Sequence, residues 1–155
     1  MLTDGFNHVA VLTKDSARLH AFYEEVFDAV VLRDGPEVPE EAGLRLSIVN
    51  VGPHSELNVF EIEGNDEADR QTPMFGRGRI DHLALQAESI EAFETIRARL
   101  MARGAADDFV TDFGPILSVF FRDPDGLECE VCVNNPDWVQ GTFNPPGTPS
   151  ARYVS

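Results

Sequence analysis

The chain contains two copies of one short pattern. Residues 7–11, Asn-His-Val-Ala-Val, return as residues 81–85, Asp-His-Leu-Ala-Leu, and the two histidines are 82 − 8 = 74 positions apart in 155 residues. Each copy has a polar residue, a histidine and an apolar run of strand-like character. An internal repeat at this spacing predicts that the two halves form the same unit. Histidines placed identically in two halves can meet at one metal site if the halves pack around a pseudo-two-fold axis.

Length and charge narrow the class of protein. A chain of 155 residues suits one compact domain, and its formal charge of −15 disfavours nucleic acid and anionic membranes as partners. A cationic or neutral small molecule fits this charge better. No apolar run approaches the roughly 20 residues that span a bilayer, and the first residues lack the pattern of a secretory signal. We therefore expect a cytoplasmic protein.

Hydrophobic periodicity predicts the same order of elements in each half: a strand, a helix and three further strands. The expected fold class is α+β, with two βαβββ modules whose mostly antiparallel, curved sheets surround a cup-shaped metal site. A single domain over residues 1–133 is expected to contain both modules. The predicted segments are module one at about 5–62, a linker at 63–78, module two at about 79–133, and a proline-rich C-terminal arm at 134–155.

Within module one the predicted strands are 5–13, 29–33, 43–50 and 56–62, with a helix from Asp15 or Ser16 to Phe27 and an exposed loop at 34–43. Within module two they are 79–86, 107–111, 116–122 and 127–133, with a helix from Ser89 to Ala102. Asp123-Pro124-Asp125-Gly126 is a turn signature that joins the last two strands as a hairpin. Cys129 and Cys132 lie on one predicted strand, and their spacing places them on opposite faces, which favours two reduced structural thiols.

Four residues form the candidate metal site. His8 and His82 lie early in the first strand of each copy, and Glu61 and Glu130 lie late in the fourth, at intervals of 61 − 8 = 53 and 130 − 82 = 48 residues. Two imidazoles and two carboxylates suit a borderline divalent metal ion such as Zn, Ni, Co, Mn or Fe(II). Four ligands on a six-coordinate ion leave two positions for a chelating substrate. The alternative for each residue alone is an ordinary polar side chain on a strand.

Several motifs carry a family resemblance. Over about residues 5–133 the chain resembles the vicinal oxygen chelate superfamily, which includes glyoxalase I, extradiol dioxygenases and bleomycin resistance proteins. The motifs that carry the resemblance are Asn-His-Val-Ala-Val, Phe22-Tyr23, Asp-His-Leu-Ala-Leu and Phe-Arg-Asp-Pro-Asp-Gly-Leu-Glu-Cys-Glu. The resemblance implies paired βαβββ modules, a divalent metal and a homodimer. It implies His8, His82 and Glu130 as metal ligands, with Glu61 as a fourth ligand in glyoxalase-like members.

The resemblance leaves three functions open. The first is a metal-dependent isomerase or lyase with Glu130 as the base. Asn65 matches a glutathione-contacting asparagine of glyoxalase I, but Leu12 and Gly78 stand where that group has arginines.

The second function is an extradiol-type Fe(II) dioxygenase. Against it, Phe120 stands where that family has a tyrosine. His54, in a predicted loop, would be the substitute acid–base group.

The third function is a non-catalytic, acidic drug-binding protein like the bleomycin resistance proteins, which suits the charge of −15. Those proteins generally lack the metal ligands that this chain has. A fosfomycin-type transferase or an epimerase of CoA esters is disfavoured by the scarcity of Lys and Arg in the last module.

Overall fold

The computed structural model describes residues 2, 5–36, 43–76, 78–140, 144 and 153. The chain divides into two compact units, Met1–Gln71 and Thr72–Ser155. The division falls inside the segment predicted as a linker, and each unit contains one of the two repeated histidines.

The first unit is a four-stranded sheet with one helix. Strand β1 lies beside β4 in parallel, and the other pairings are antiparallel, in the order β1-β4-β3-β2. A 3₁₀ turn at Glu67–Asp69 follows the last strand. The elements are β1 (His8–Thr13), α1 (Ser16–Phe27), β2 (Val30–Pro36), β3 (Leu44–Gly52) and β4 (Ser55–Ile62).

The second unit repeats this arrangement, in the order β5-β8-β7-β6, with β5 parallel to β8. The prediction of two βαβββ modules with mostly antiparallel sheets is confirmed. The elements are β5 (Leu83–Gln86), α2 (Ile90–Ala102), β6 (Thr111–Asp112), β7 (Ile116–Arg122) and β8 (Glu128–Asn134).

Both helices begin at the residues that the sequence indicates. The Asp15 carboxylate accepts a 2.9 Å hydrogen bond from the backbone N–H of Arg18, and the Ser89 hydroxyl accepts one of 3.1 Å from Ala92. These bonds satisfy N–H groups that have no partner inside the first turn of a helix. Neither helix is long and apolar enough to cross a membrane.

Strand alternation gives each sheet a buried apolar face. Leu57 and Val59 of β4 are at most 1% exposed, and α1 contacts the sheet on their side. Cys129 and Val131 of β8 are equally buried, and α2 contacts this strand. Intervening residues of β4 and β8 point to the other face because successive strand side chains alternate.

Some predicted elements differ in length. Strand β5 begins at Leu83 rather than near residue 79, and β6 has two residues instead of five. Strand β2 continues to Pro36 because it pairs with the start of β3, so the predicted loop at 34–43 begins later. The remainder of that loop, residues 37–42, and most of the predicted C-terminal arm lie outside the described residues.

Candidate functional site

The turn between β7 and β8 positions the acidic residues of the second unit. The Asp123 carboxylate accepts hydrogen bonds from the backbone N–H groups of Asp125 (2.9 Å) and Leu127 (2.8 Å), and Gly126 has a left-handed φ of 84°. The turn returns the chain with Phe120 opposite Glu130. Because a shift of one residue would move every side chain of β8 to the other face, this turn fixes where Glu130 points.

His82 and Glu130 lie together on the face away from α2. Ala84 of β5 is level with Glu130, and His82 shares the face of Ala84 by strand alternation. His82 Nε2 is 3.1 Å from Glu130 Oε2, and Glu130 is only 7% exposed. The Ser118 hydroxyl donates a hydrogen bond to Glu130 Oε1. Both carboxylate oxygens of Glu130 therefore have polar partners in the interior of this unit.

The residue before each repeated histidine orients its ring. His82 Nδ1 is 2.9 Å from a carboxylate oxygen of Asp81, and His8 Nδ1 is 2.8 Å from the amide oxygen of Asn7. An oxygen acceptor at Nδ1 holds the ring proton there and leaves the Nε2 lone pair for another partner. Metal-binding histidines commonly have such an outer acceptor. The polar residue that opens each copy of the pattern thus has a shared structural role.

The structure does not bring Glu61 to His8. His8 is level with Glu56, and Glu61 is level with Thr13, five positions farther along the parallel strands. At a rise of about 3.3 Å per residue this is about 16 Å, and the odd spacing also places the two side chains on opposite faces. They cannot contact one ion within this unit.

Glu61 instead contacts the start of α1. Its Oε2 accepts a 2.8 Å hydrogen bond from the backbone N–H of Ser16. Hydrogen bonding from Ser16, and secondarily the charge of Arg45 with Nη1 3.9 Å away, lowers the pKa of Glu61 below its usual value. Glu61 thus serves as a stabilising anion at a helix N-terminus.

Asn58 occupies the position on β4 that Glu61 was expected to occupy. His8 is level with Glu56, and Asn58 lies two positions farther along β4, level with Ala10. Because side chains two positions apart on a strand point to the same face, Asn58 shares the face of His8. The sequence analysis missed this residue. The two hairpins have equal lengths: Asn50 pairs with Glu56, and Arg122 pairs with Glu128, each across five intervening residues. Counting two residues onward from Glu56 and from Glu128 makes Asn58 the counterpart of Glu130.

Two donor atoms, one nitrogen and one oxygen, lie where they could bind a divalent metal ion. His82 Nε2 and Glu130 Oε2 are the nitrogen and oxygen types that such ions bind. Among the residues that the structure describes, no group of three or more His, Cys, Asp or Glu side chains is arranged to hold a metal.

Phe120 lies beside His82 and is the cross-strand partner of Glu130. The ring of Phe120 lies 6.4 Å from that of His82 and 5.8 Å from that of Tyr153, both edge to face. The Arg122 guanidinium lies 5.1 Å from the centre of the Tyr153 ring and also pairs with Glu128 at 3.0 Å. Tyr153 belongs to the segment predicted as a C-terminal arm, and no sequence pattern predicted its contact with β7.

The remaining residues considered from sequence have other roles. Cys129 and Cys132 are both free, as predicted, and burial, followed by the charge of Glu130, raises the pKa of Cys132 to about 12. This thiol is therefore protonated at neutral pH. Asn65 accepts a 2.8 Å hydrogen bond from the backbone N–H of Glu67 and so stabilises the 3₁₀ turn. His54 is exposed in the β3–β4 turn.

Solved structures with the same fold include two glyoxalase-related proteins. A glyoxylase/bleomycin resistance protein/dioxygenase domain from Frankia sp. EAN1pec has a TM-score of 0.70 and 21% identity, covering 87% of this chain and 95% of that chain. A glyoxalase family protein from Enterococcus faecalis has a TM-score of 0.64 and 26% identity, covering 85% and 99%.

A third structure is the fosfomycin resistance protein FosX from Listeria monocytogenes, complexed with Mn(II) and dihydroxypropylphosphonic acid. Its TM-score is 0.63 at 18% identity, covering 84% of this chain and 92% of that chain. No curated protein matches the sequence significantly.

The family assignment rests on the sequence as well as the fold. Residues 5–131 match the family described as the Glyoxalase/Bleomycin resistance protein/Dioxygenase superfamily. This range contains both copies of the histidine pattern and both βαβββ modules except the last three residues of β8. The chain belongs to the Glyoxalase/Bleomycin resistance protein/Dioxygenase superfamily.

Proposed function

We propose that this protein is a divalent-metal-dependent enzyme with isomerase or lyase chemistry. Its substrate is a small molecule that chelates the metal through two neighbouring oxygen atoms, and Glu130 is the catalytic base. The observation that carries the proposal is the linked arrangement of Asp81, His82 and Glu130, in which Nε2 of an oriented histidine lies 3.1 Å from a buried carboxylate oxygen. FosX, which shares the fold, binds Mn(II) in its solved complex.

The proposed ligands are His82 through Nε2, Glu130 through its carboxylate, and His8 as the third ligand that the sequence repeat predicts. Glu61 is left out because its carboxylate contacts the start of α1 on the other face of its sheet. When bound, an ion of this class polarises substrate oxygens and stabilises the negative charge that forms on them.

The neighbouring residues prepare Glu130 for proton transfer. Ser118 holds Oε1, so the carboxylate keeps one orientation while Oε2 faces the side of His82. The Asp81 carboxylate lies 2.9 Å from His82 Nδ1, where it can accept a hydrogen bond from a ring proton and leave Nε2 as the atom that binds the metal ion. A carboxylate that can leave the metal ion can then accept a proton from a substrate carbon next to a polarised carbonyl group. The Phe120 ring gives His82 an apolar neighbour in an edge-to-face arrangement.

One observation favours an Fe(II) dioxygenase as the second candidate. The extradiol family has a tyrosine where this chain has Phe120, and the ring of Tyr153 lies 5.8 Å from the ring of Phe120. Tyr153 therefore supplies a phenol near the position where that chemistry uses one.

The deciding experiment measures bound metal in protein purified without chelators. The matched control is His54→Ala, which removes an exposed histidine that is not among the proposed metal ligands. We expect wild type and His54→Ala to contain equal amounts of a divalent ion and His82→Ala to lose it. Equal metal content in wild type and His82→Ala would exclude the proposed site, and a wild type without any divalent ion would leave the non-catalytic, acidic drug-binding protein as the better interpretation.

The reaction class is then tested with protein loaded separately with Ni, Zn, Mn and Fe(II). Turnover of hemithioacetals supports isomerase or lyase chemistry. Oxygen-dependent ring cleavage of catechols with Fe(II) alone would instead establish the dioxygenase.

A further inference from the structure

We infer that a cavity beside Glu56 in the first unit binds a small molecule through a guanidinium group. The inference does not depend on the proposed function, because it needs no metal ion and uses other residues. It follows from the internal repeat. The second unit pairs the corresponding glutamate with an arginine of its own, whereas the first unit has a cavity beside its glutamate.

Glu56 and Glu128 occupy equivalent positions in the two units. Glu56 pairs with Asn50 across the first hairpin, as Glu128 pairs with Arg122 across the second. The side chains of two paired residues lie next to each other on one face of the sheet. An asparagine in the first unit therefore stands where the second unit has the much longer arginine.

In the second unit both carboxylate oxygens of the glutamate have partners. Arg122 Nη2 donates a 3.0 Å hydrogen bond to Glu128 Oε1, and the backbone N–H of Met74 donates one of 2.5 Å to Oε2. The guanidinium carbon of Arg122 also lies 5.1 Å from the centre of the Tyr153 ring. A carboxylate and an aromatic ring thus hold one guanidinium group.

The first unit has a carboxylate and an aromatic ring at a cavity of about 330 Å³. Its lining residues include Glu56, Asn50 and Phe6. Phe6 is 84% exposed, so its ring is accessible to a ligand. The backbone N–H of Glu56 donates a 3.1 Å hydrogen bond to the carbonyl oxygen of Asn7, which holds the segment that carries Phe6 beside β4. A cavity of this volume suits a small molecule.

The polar groups of the cavity can accept hydrogen bonds from a cation. The Glu56 carboxylate is half-buried, and no group in the described part of the chain donates a hydrogen bond to it or forms an ion pair with it. Asn50 donates a 3.0 Å hydrogen bond from its amide nitrogen to the carbonyl oxygen of Gly52, so its amide oxygen can accept one from a ligand.

A guanidinium group matches these features. It forms two parallel, charge-assisted hydrogen bonds with a carboxylate, and this compensates for the partial burial of the Glu56 charge. The Phe6 ring attracts the same cation through its π electrons. The formal charge of −15 on the whole chain favours the approach of a cation over that of an anion.

The test is a titration of the full-length protein with ethylguanidinium, followed through the backbone amide signals by NMR. We expect saturable shifts at Phe6, Asn7 and Glu56, with a dissociation constant of about 1 mM for a fragment of this size. N-Ethylurea has nearly the same shape but no charge, and it should produce no saturable shifts. Saturation by N-ethylurea at the same concentration would overturn the inference.

Four variants locate the site. Glu56→Gln should weaken ethylguanidinium binding about tenfold or more, and Phe6→Leu should weaken it about threefold. Asn50→Arg should abolish binding, because it supplies a guanidinium group to Glu56 from the chain itself. Glu24→Gln makes the same charge change at an exposed position of α1 and should bind as wild type does.

Wild-type affinity in Glu56→Gln or in Asn50→Arg would overturn the inference. An equal loss of affinity in Glu24→Gln would also overturn it, since it would indicate general attraction to an acidic surface. Tighter binding of a blocked Gly-Arg-Gly peptide than of ethylguanidinium would overturn the assignment to a small molecule. Circular dichroism checks folding, and if Glu56→Gln does not fold, the result for Asn50→Arg decides.

Discussion

Glu61 accepts a 2.8 Å hydrogen bond from the backbone N–H of Ser16, so the end of β4 is attached to the first turn of α1. The first four N–H groups of a helix have no partner within it, and the helix dipole favours an anion beside them. The lowered pKa of Glu61 has this bonding as its main cause. A residue that resembles a metal ligand in sequence is thus a structural link between a strand and a helix.

Glu61→Gln should therefore destabilise the protein in a pH-dependent way. The pKa of Glu61 is lower in the folded than in the unfolded protein, so its stabilising effect is present above the unfolded pKa and is lost as the pH falls through the folded pKa. We expect the free energy of unfolding to decrease by about 0.5–1 kcal/mol at neutral pH, with no difference in strong acid. Urea unfolding measures this, with Glu24→Gln on the exposed side of α1 as the control. An equal decrease at both pH values would contradict the charge-based explanation.

The sequence predicted the order of the elements because its signals are local. The apolar spacing of each helix and the caps Asp15 and Ser89 act within a few residues, and each copy of the repeated pattern is five residues long. Short strands such as β6, with two residues, carry too little periodicity to be bounded from sequence.

The direction of a strand side chain was predictable only where the turn has a strong signature. Asp123-Pro124-Asp125-Gly126 fixes the register of β8 and hence the face of Glu130. The β3–β4 hairpin lacks this signature, and its register shifts between Asn50 and Gly52. Since an error of one residue reverses the face, Glu61 was grouped with His8 although Asn58 shares that face. The contact of Tyr153 with β7 depends on the path of the C-terminal arm and has no local signal.

Asp81→Ala should weaken metal binding without removing a proposed ligand. The Asp81 carboxylate lies 2.9 Å from His82 Nδ1 and holds the ring with Nε2 towards Glu130. Loss of such an outer partner typically lowers metal affinity by about 10–100-fold. Competition titration with Zn(II) measures the change, and Asp81→Asn, which keeps an oxygen acceptor, should recover much of the affinity. Unchanged binding in Asp81→Ala would show that the ring needs no such support.

Tyr153→Ala should destabilise the second unit, whereas Tyr153→Phe should not. The contacts of Tyr153 with Phe120 and Arg122 are made by its ring, which phenylalanine preserves. Aromatic and cation–π contacts together suggest a loss of about 1–2 kcal/mol in the free energy of unfolding for the alanine variant. Thermal and urea unfolding of both variants test this. If the phenylalanine variant loses as much as the alanine variant, the hydroxyl group rather than the ring is responsible.

Glu130→Gln should reduce turnover far more than it reduces metal binding. Glutamine has nearly the same shape and keeps one oxygen that can contact a metal ion, while its amide N–H can donate to the Ser118 hydroxyl, but it cannot accept a proton from substrate. Loss of a general base typically costs a factor of about 10²–10⁴ in rate. Turnover on whichever substrate the metal screen identifies is compared with metal content measured on the same preparation. Parallel losses of metal and turnover would make Glu130 a ligand alone, and the base would then be sought elsewhere in the site.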